Sequence, residues 1–162
     1  MPQTKSHHAN AAIIEAFYKS FQQLDANGMK ACYHPDIEFS DPVFPNLTGD
    51  AAGAMWTMLC KRAENFHLTY SDISADETSG TAQWQAQYKF SATGRKVHNI
   101  ITANFEFKDG KIIKHNDHFN FWRWSRMALG VSGVLLGWTP LLQNKVRATA
   151  NQNLQIFMRQ NG

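Results

Sequence analysis

Little in this chain points to charge-driven or redox chemistry. Only 18% of its 162 residues are charged, and the formal net charge is +3. The basic residues are scattered and form no stripe with interleaved aromatics, so nucleic acid is not an expected partner. There are two cysteines, Cys32 and Cys60. Both lie in helix-like apolar stretches and read as buried reduced thiols, because a domain with a core of this size does not need a lone disulfide. No apolar run reaches the roughly 20 residues of a membrane-spanning helix. The longest uncharged run, Met127–Leu142, carries three glycines and Pro140. The N-terminus, MPQTKSHHAN, lacks the apolar stretch of a secretory signal. Internal repeats and low-complexity segments are missing as well. The expectation is a cytoplasmic protein with no membrane partner.

What remains is ordinary globular material, 43% hydrophobic, long enough for one domain with a real core. Ile13, Ile14, Phe17, Tyr18, Phe21 and Leu24 recur at helical spacing and predict a first helix over Ala9–Leu24, stopped by Asp25-Ala26-Asn27-Gly28. A short second helix over Gly28–Tyr33 and a brief strand over Ile37–Asp41 follow. Thr48-Gly49-Asp50 is a cap for a third helix reaching about Asn65, with Ala52, Met55, Trp56, Leu59 and Ala63 inward. From Phe66 the period changes to two. Ala82, Trp84, Ala86, Tyr88 and Phe90 alternate with polar residues, Val97–Phe107 continues the pattern, and Lys108-Asp109-Gly110 is a hairpin turn. Helices first and a meander afterwards predict an α+β fold, with helices on one face of a curved sheet and a cavity between them.

The last strand, Lys111–Trp124, places Ile113, His115, Asp117, Phe119 and Phe121 on one face. Asp117 thus lies on an apolar face, where a bare carboxylate is too costly to bury. It is either a satisfied structural group or an acid or base at the floor of a pocket. His115 and His118 point to opposite faces, which argues against a shared metal. His7 and His8 lie in a polar tail. Beyond about residue 124 comes a helical extension, with a short helix over Trp124–Gly130 and a longer one from Thr139. Leu142, Val146, Ala150 and Leu154 share one face of the latter. It has no strand of its own to pack on and must dock on the core, over the cavity or on a second subunit.

Asp25-x-x-Gly28, Tyr33-His34-Pro35-Asp36 and Phe39-Ser40-Asp41-Pro42-Val43 are similar to the helix-to-strand passage of ketosteroid isomerases, and Gly94-Arg95-Lys96 and Asn104-Phe105-Glu106-Phe107 continue the match. Lys114-His115-Asn116-Asp117-His118 looks more like SnoaL-like cyclases and limonene epoxide hydrolases. Over roughly Ala9–Trp124 the chain therefore resembles the nuclear transport factor 2-like superfamily, SnoaL-like and ketosteroid-isomerase-like branch. The resemblance implies a conical antiparallel-rich sheet, three N-terminal helices on its concave face, and a small apolar ligand. It implies no cofactor and no metal. Homodimers are common in the superfamily, and an outer face carrying Trp122, with Phe107 and Trp124 near the strand ends and the apolar run Met127–Leu142 beyond, supports one here.

Asp41 matches the isomerases' general base. The alternative is a plain Asp-Pro turn in which the side chain bonds its own backbone. The isomerases' oxyanion tyrosine falls on Phe17, with Tyr18 about 100° round the helix, and their oxyanion aspartic acid falls on Ala103. The expected site therefore has Asp117 and Asp41 as catalytic carboxylates on opposite sides of the pocket. Tyr18, Tyr88, Asn99 and His115 are polar companions, and Trp56, Trp84, Phe105, Phe119 and Phe121 form an apolar wall. Two readings follow: acid–base chemistry (isomerisation, cyclisation or epoxide hydrolysis), or a non-catalytic module that binds a hydrophobic ligand or a protein.

Overall fold

The computed structural model describes residues 8–161. His7 lies outside that range, whereas His8 caps the first helix, its ring Nδ1 accepting from the Asn10 N–H. That helix, α1 (Ala9–Gln22), buries Ile14, Phe17, Tyr18 and Phe21, the i, i+3, i+4, i+7 stripe its sequence carries. It stops two residues early because Leu24 adopts a left-handed backbone (φ 54°). The Asp25 side chain starts α2 (Ala26–Ala31), accepting from the Gly28 N–H at 3.0 Å. Chain direction then changes at Cys32, so Tyr33 opens β1 (Tyr33–Ser40) instead of closing the helix. A two-residue edge strand, β2 (Leu47–Thr48), precedes α3 (Asp50–Arg62). Met55, Trp56, Met58 and Cys60 are buried on α3, but Leu59 is exposed. Both cysteines are free; Cys60 is buried and Cys32 only partly so.

Four antiparallel strands follow: β3 (His67–Ala75), β4 (Ser79–Phe90), β5 (Arg95–Lys108) and β6 (Lys111–His118). With β1 parallel to β6, the sheet order is β2-β1-β6-β5-β4-β3. On β5 the residues Val97, Asn99, Ile101, Ala103, Phe105 and Phe107 face inward, as their alternation requires. The register of β6 is less regular. Phe107 pairs with Ile112 and Glu106 with Lys114, so Ile113 is an extra, bulged residue. Ile112, fully buried, therefore takes the inward place expected for Ile113, and His115 and Asp117 keep theirs.

The final strand is also shorter than its alternation suggests. It ends at His118, and the Asn120 side chain caps α4 (Phe121–Leu129) by accepting from the Arg123 N–H at 3.0 Å. Phe121, Trp122 and Trp124 thus belong to a helix. Next comes α5 (Val131–Leu136), which approaches α4 closely at Gly133, where any Cβ would collide with the Ser125 carbonyl. The chain closes with α6 (Pro140–Asn161), begun by proline in its first turn.

The extension is built into the body of the fold. Leu154 and Phe157 of α6 join the main core formed by α1, α3 and the sheet, and Leu154 is fully buried. Phe121, Trp124 and Ala128 of α4 form a second cluster with Val97, against which Val43, Tyr88, Phe90 and Val146 also pack. Truncating the chain before α6 would therefore open the core. Leu154→Ala should destabilise the protein by about 2–5 kcal/mol in urea melts. A loss under about 1 kcal/mol would show that α6 does not share the core.

Candidate functional site

Three inward positions of the sheet meet at one histidine. His115 is fully buried, with ring neighbours Phe105 (4.4 Å), Phe39 (5.1 Å), Phe17 (5.4 Å) and Trp56 (6.1 Å) between centroids. Both its nitrogens are engaged. Nε2 lies 2.9 Å from Asp117 Oδ1, and Nδ1 lies 2.8 Å from the Tyr33 hydroxyl. The indole of Trp56 donates to that hydroxyl at 2.8 Å, and the indole of Trp84 donates to Asp117 Oδ1 at 3.3 Å.

Counting protons orients the chain. A carboxylate can only accept, so a neutral His115 gives its Nε2–H to Asp117 and accepts from the Tyr33 hydroxyl at Nδ1. Tyr33 Oη in turn accepts from the Trp56 indole, which can only donate. Every N–H and O–H in the line Trp56–Tyr33–His115–Asp117–Trp84 has an acceptor, with Oδ1 of a carboxylate at the receiving end. Tyr33 was hidden from sequence reading because Ile37 looked like the start of its strand.

Tyr18 is different. Its ring is fully buried, stacked on Tyr70 and close to Trp84 and Phe105, yet its hydroxyl has no hydrogen-bond partner among the described residues. Burial pushes its pKa well above the ordinary tyrosine value, and the nearby Asp117 charge adds to this. A buried hydroxyl left unpaired costs about 1–3 kcal/mol. The Tyr18 hydroxyl is therefore the free polar contact of this interior.

Asp41 and Asp117 are neighbours, which corrects their expected placement on opposite sides of the pocket. Parallel pairing aligns Phe39 with His115 and Ser40 with Asn116, and the next residues along are the two aspartates. Asp41 lies just past the end of β1, on the side where β6 carries Asp117, and the Asp117 charge reaches it. Asp41 also forms the Asp-Pro turn, its Oδ1 accepting from the N–H groups of Val43 (2.7 Å) and Phe44 (2.6 Å). Burial nonetheless raises its pKa to about 7. The two N–H bonds and Arg147 oppose the rise, and the Asp117 charge assists it.

The remaining expected residues are divided. Trp56, Trp84, Phe105 and Asn99 are buried on the inner faces, and Ala103 is the direct cross-strand partner of Asp117. Tyr88 and Phe119 are half-buried and pack against both core clusters. Trp124 of α4 donates to the Tyr88 hydroxyl at 3.0 Å, and Arg147 of α6 donates to the Pro42 carbonyl at 2.8 Å. Phe121 packs in this second cluster, away from the strand wall expected of it. Two cavities, of about 460 and 650 Å³, lie elsewhere. One is on the outer face near Asn104 and Asn116, the other beside the β4–β5 turn near Lys96 and Met127. No cluster of metal-ligating side chains occurs among the described residues. No described helix is long and apolar enough to cross a membrane.

The raised pKa of Asp41 carries a sign. Its ordinary value is 3.8 and its folded value about 7, so the fold binds its proton more tightly than the unfolded chain does. The contribution to stability is present in acid and is lost as pH rises from about 4 through about 7. Asp41→Asn keeps both turn hydrogen bonds without the charge. It should be more stable than wild type by roughly 2–4 kcal/mol at pH 8, with the two melting together at pH 4. A pH-independent difference would contradict the buried-charge assignment.

No curated protein matches the sequence. Solved structures do match the fold. An epoxide hydrolase of Mycobacterium tuberculosis resembling limonene epoxide hydrolase is 18% identical, with a TM-score of 0.64 over 79% of this chain and 96% of its own. A Catenulispora acidiphila protein with a ketosteroid isomerase-like fold, solved with trimethylamine, is 14% identical, with a TM-score of 0.66 over 85% and 100%. TerC, co-crystallised with polyporic acid, is 17% identical, with a TM-score of 0.64 over 75% and 99%. At these identities they establish the fold. The SnoaL-like domain family matches residues 14–115, well over half the chain, and the protein belongs to that family.

Proposed function

We propose that this protein is a cofactor-free acid–base catalyst acting on a small apolar molecule with a carbonyl or epoxide oxygen. The observation that carries the reading is the unpartnered Tyr18 hydroxyl, buried near an Asp117 carboxylate that His115 holds in place. Asp117 is the base. The Nε2–H of His115 and the indole of Trp84 occupy Oδ1, which leaves the other oxygen to take a proton from substrate carbon or from water. Tyr18 is the donor that steadies developing charge on the substrate oxygen, a role worth about 10²–10³ in rate for one such group. Asp41, with a pKa of about 7, is the acid that delivers a proton to the leaving or ring-opened oxygen. Adjacent carboxylates split their proton affinities in this way, and one is left charged while the other holds its proton. The same placement serves isomerisation, cyclisation and epoxide opening.

A second reading has its own support. Neither of the two cavities described above reaches Asp117, and Trp124 of α4 and Arg147 of α6 are bonded to Tyr88 and to the Pro42 carbonyl beside Asp41. A non-catalytic fold with side chains filling its cone fits those observations, and a ligand would need α4 or α6 to shift before it could enter.

Tyr18→Phe separates the two. The variant loses an unpaired hydroxyl, so it should melt at the same temperature as wild type or higher, by up to about 1 kcal/mol in stability. Compounds that raise the wild-type melting temperature, drawn from terpene epoxides, steroids and polyketide-like lactones, would then be assayed for turnover. The catalytic reading expects kcat/KM to fall about 10²-fold or more in Tyr18→Phe. It also expects wild-type turnover to decline as pH rises through about 7, where Asp41 loses its proton. Failure of every compound to bind, or equal turnover by the variant, would leave the non-catalytic reading.

A further inference from the structure

After Asp117 the sequence has no Asp or Glu, while Arg123, Arg126, Lys145, Arg147 and Arg159 follow. The same segment holds most of the exposed large hydrophobic side chains among the described residues. Val131 and Leu141 are each 75% exposed, Trp138 is 66% and Leu135 63%. Their placement is directional. Gly133 turns inward to meet α4, so Val131, Val134 and Leu135 share the outward side of α5 at i, i+3 and i+4 spacing. The indole of Trp138 donates to the Leu135 carbonyl at 3.1 Å, which lays its ring against the end of that helix, and Leu141 opens α6 just beyond.

Cations rim this patch. The Arg126 guanidinium sits 4.2 Å over the Trp122 ring, and the Trp122 indole in turn donates to the Val134 carbonyl. Arg95 donates to the Met127 carbonyl, close to Gly130 where α5 begins. Lys145, also exposed, lies one turn after Leu141 on α6. A two-fold symmetric contact with a second copy would bring these like-charged rims together, with no carboxylate from the segment to pair with them. An anionic lipid surface accommodates both features. The apolar side chains enter the boundary between headgroups and acyl chains, the indole sits at the interface, and the cations meet the headgroups.

We propose that residues 131–141 form a docking face for anionic phospholipid membranes, on which the protein lies without spanning. The inference is independent of any catalytic role for Asp117.

The test is co-sedimentation of the full chain with vesicles of phosphatidylcholine, with and without 30% phosphatidylglycerol. Each cation near the surface contributes about fivefold, so anionic lipid should raise partitioning at least about tenfold. About 0.5 M NaCl should remove most of that gain by screening. The double variant Leu135→Ser/Trp138→Ser should lower partitioning at least about tenfold, with an unchanged melting temperature because both side chains are exposed. Lys145→Glu disturbs no apolar contact and should lower it about fivefold or more. No pelleting with anionic vesicles, or equal pelleting by the double variant, would overturn the proposal. So would a wild-type dimer in sedimentation velocity that the double variant converts to monomer, which would assign the face to a second copy.

Discussion

His115 has no exposed surface and no polar surroundings beyond the groups it bonds, and this constraint organises the interior. An imidazole enclosed by Phe17, Phe39, Trp56 and Phe105 is tolerable only if both nitrogens are paired. Tyr33 pairs one and Asp117 the other, each oriented by a tryptophan indole. The four elements that meet there, β1, α3, β4 and β6, are thereby held in one register. Removing a single member would strand a buried charge or donor at a cost of about 3–5 kcal/mol.

The relay also sets the character of the surroundings. It delivers a carboxylate to an otherwise apolar interior, beside a second carboxylate whose pKa stands at about 7 and a tyrosine hydroxyl with nothing to bond. A purely structural network would pair all of its polar atoms, because half-satisfied ones are costly. The relay's own donors are all paired, but the Tyr18 hydroxyl beside it is not, and the Asp117 charge bears on it. Directly across from Asp117 on β5 is the small, fully buried Ala103.

Strong periodic signals made most of the fold legible in the sequence. The stripe on α1, the alternation on β4 and β5 and the Asp109-Gly110 turn all appear where the pattern places them. Boundaries governed by single residues were less visible. The alternation from Ile113 to Trp122 conceals a bulge at one end and a helix cap at the other, because Asn120 preserves the strand-like pattern while its side chain starts α4. Of the site, His115 and Asp117 were legible because a charge on an apolar face is conspicuous. The parallel pairing that brings Asp41 beside Asp117 is long-range, and nothing local encodes it. The same holds for Tyr33, Trp124 and Arg147, whose partners lie far away in sequence.

The direction of the relay depends on one proton. With an Asp117 carboxylate that can only accept, a neutral imidazole carries its hydrogen on Nε2, and Tyr33, which accepts from Trp56, donates to Nδ1. Long-range nitrogen–proton correlation spectra of protein labelled with ¹⁵N-histidine read this directly. The expected result is a His115 ring protonated at Nε2, with a bare Nδ1 accepting a hydrogen bond, and loss of the Nδ1 hydrogen-bond shift in Tyr33→Phe. A proton found on Nδ1 with Nε2 bare would reverse the relay and contradict the role assigned to Asp117.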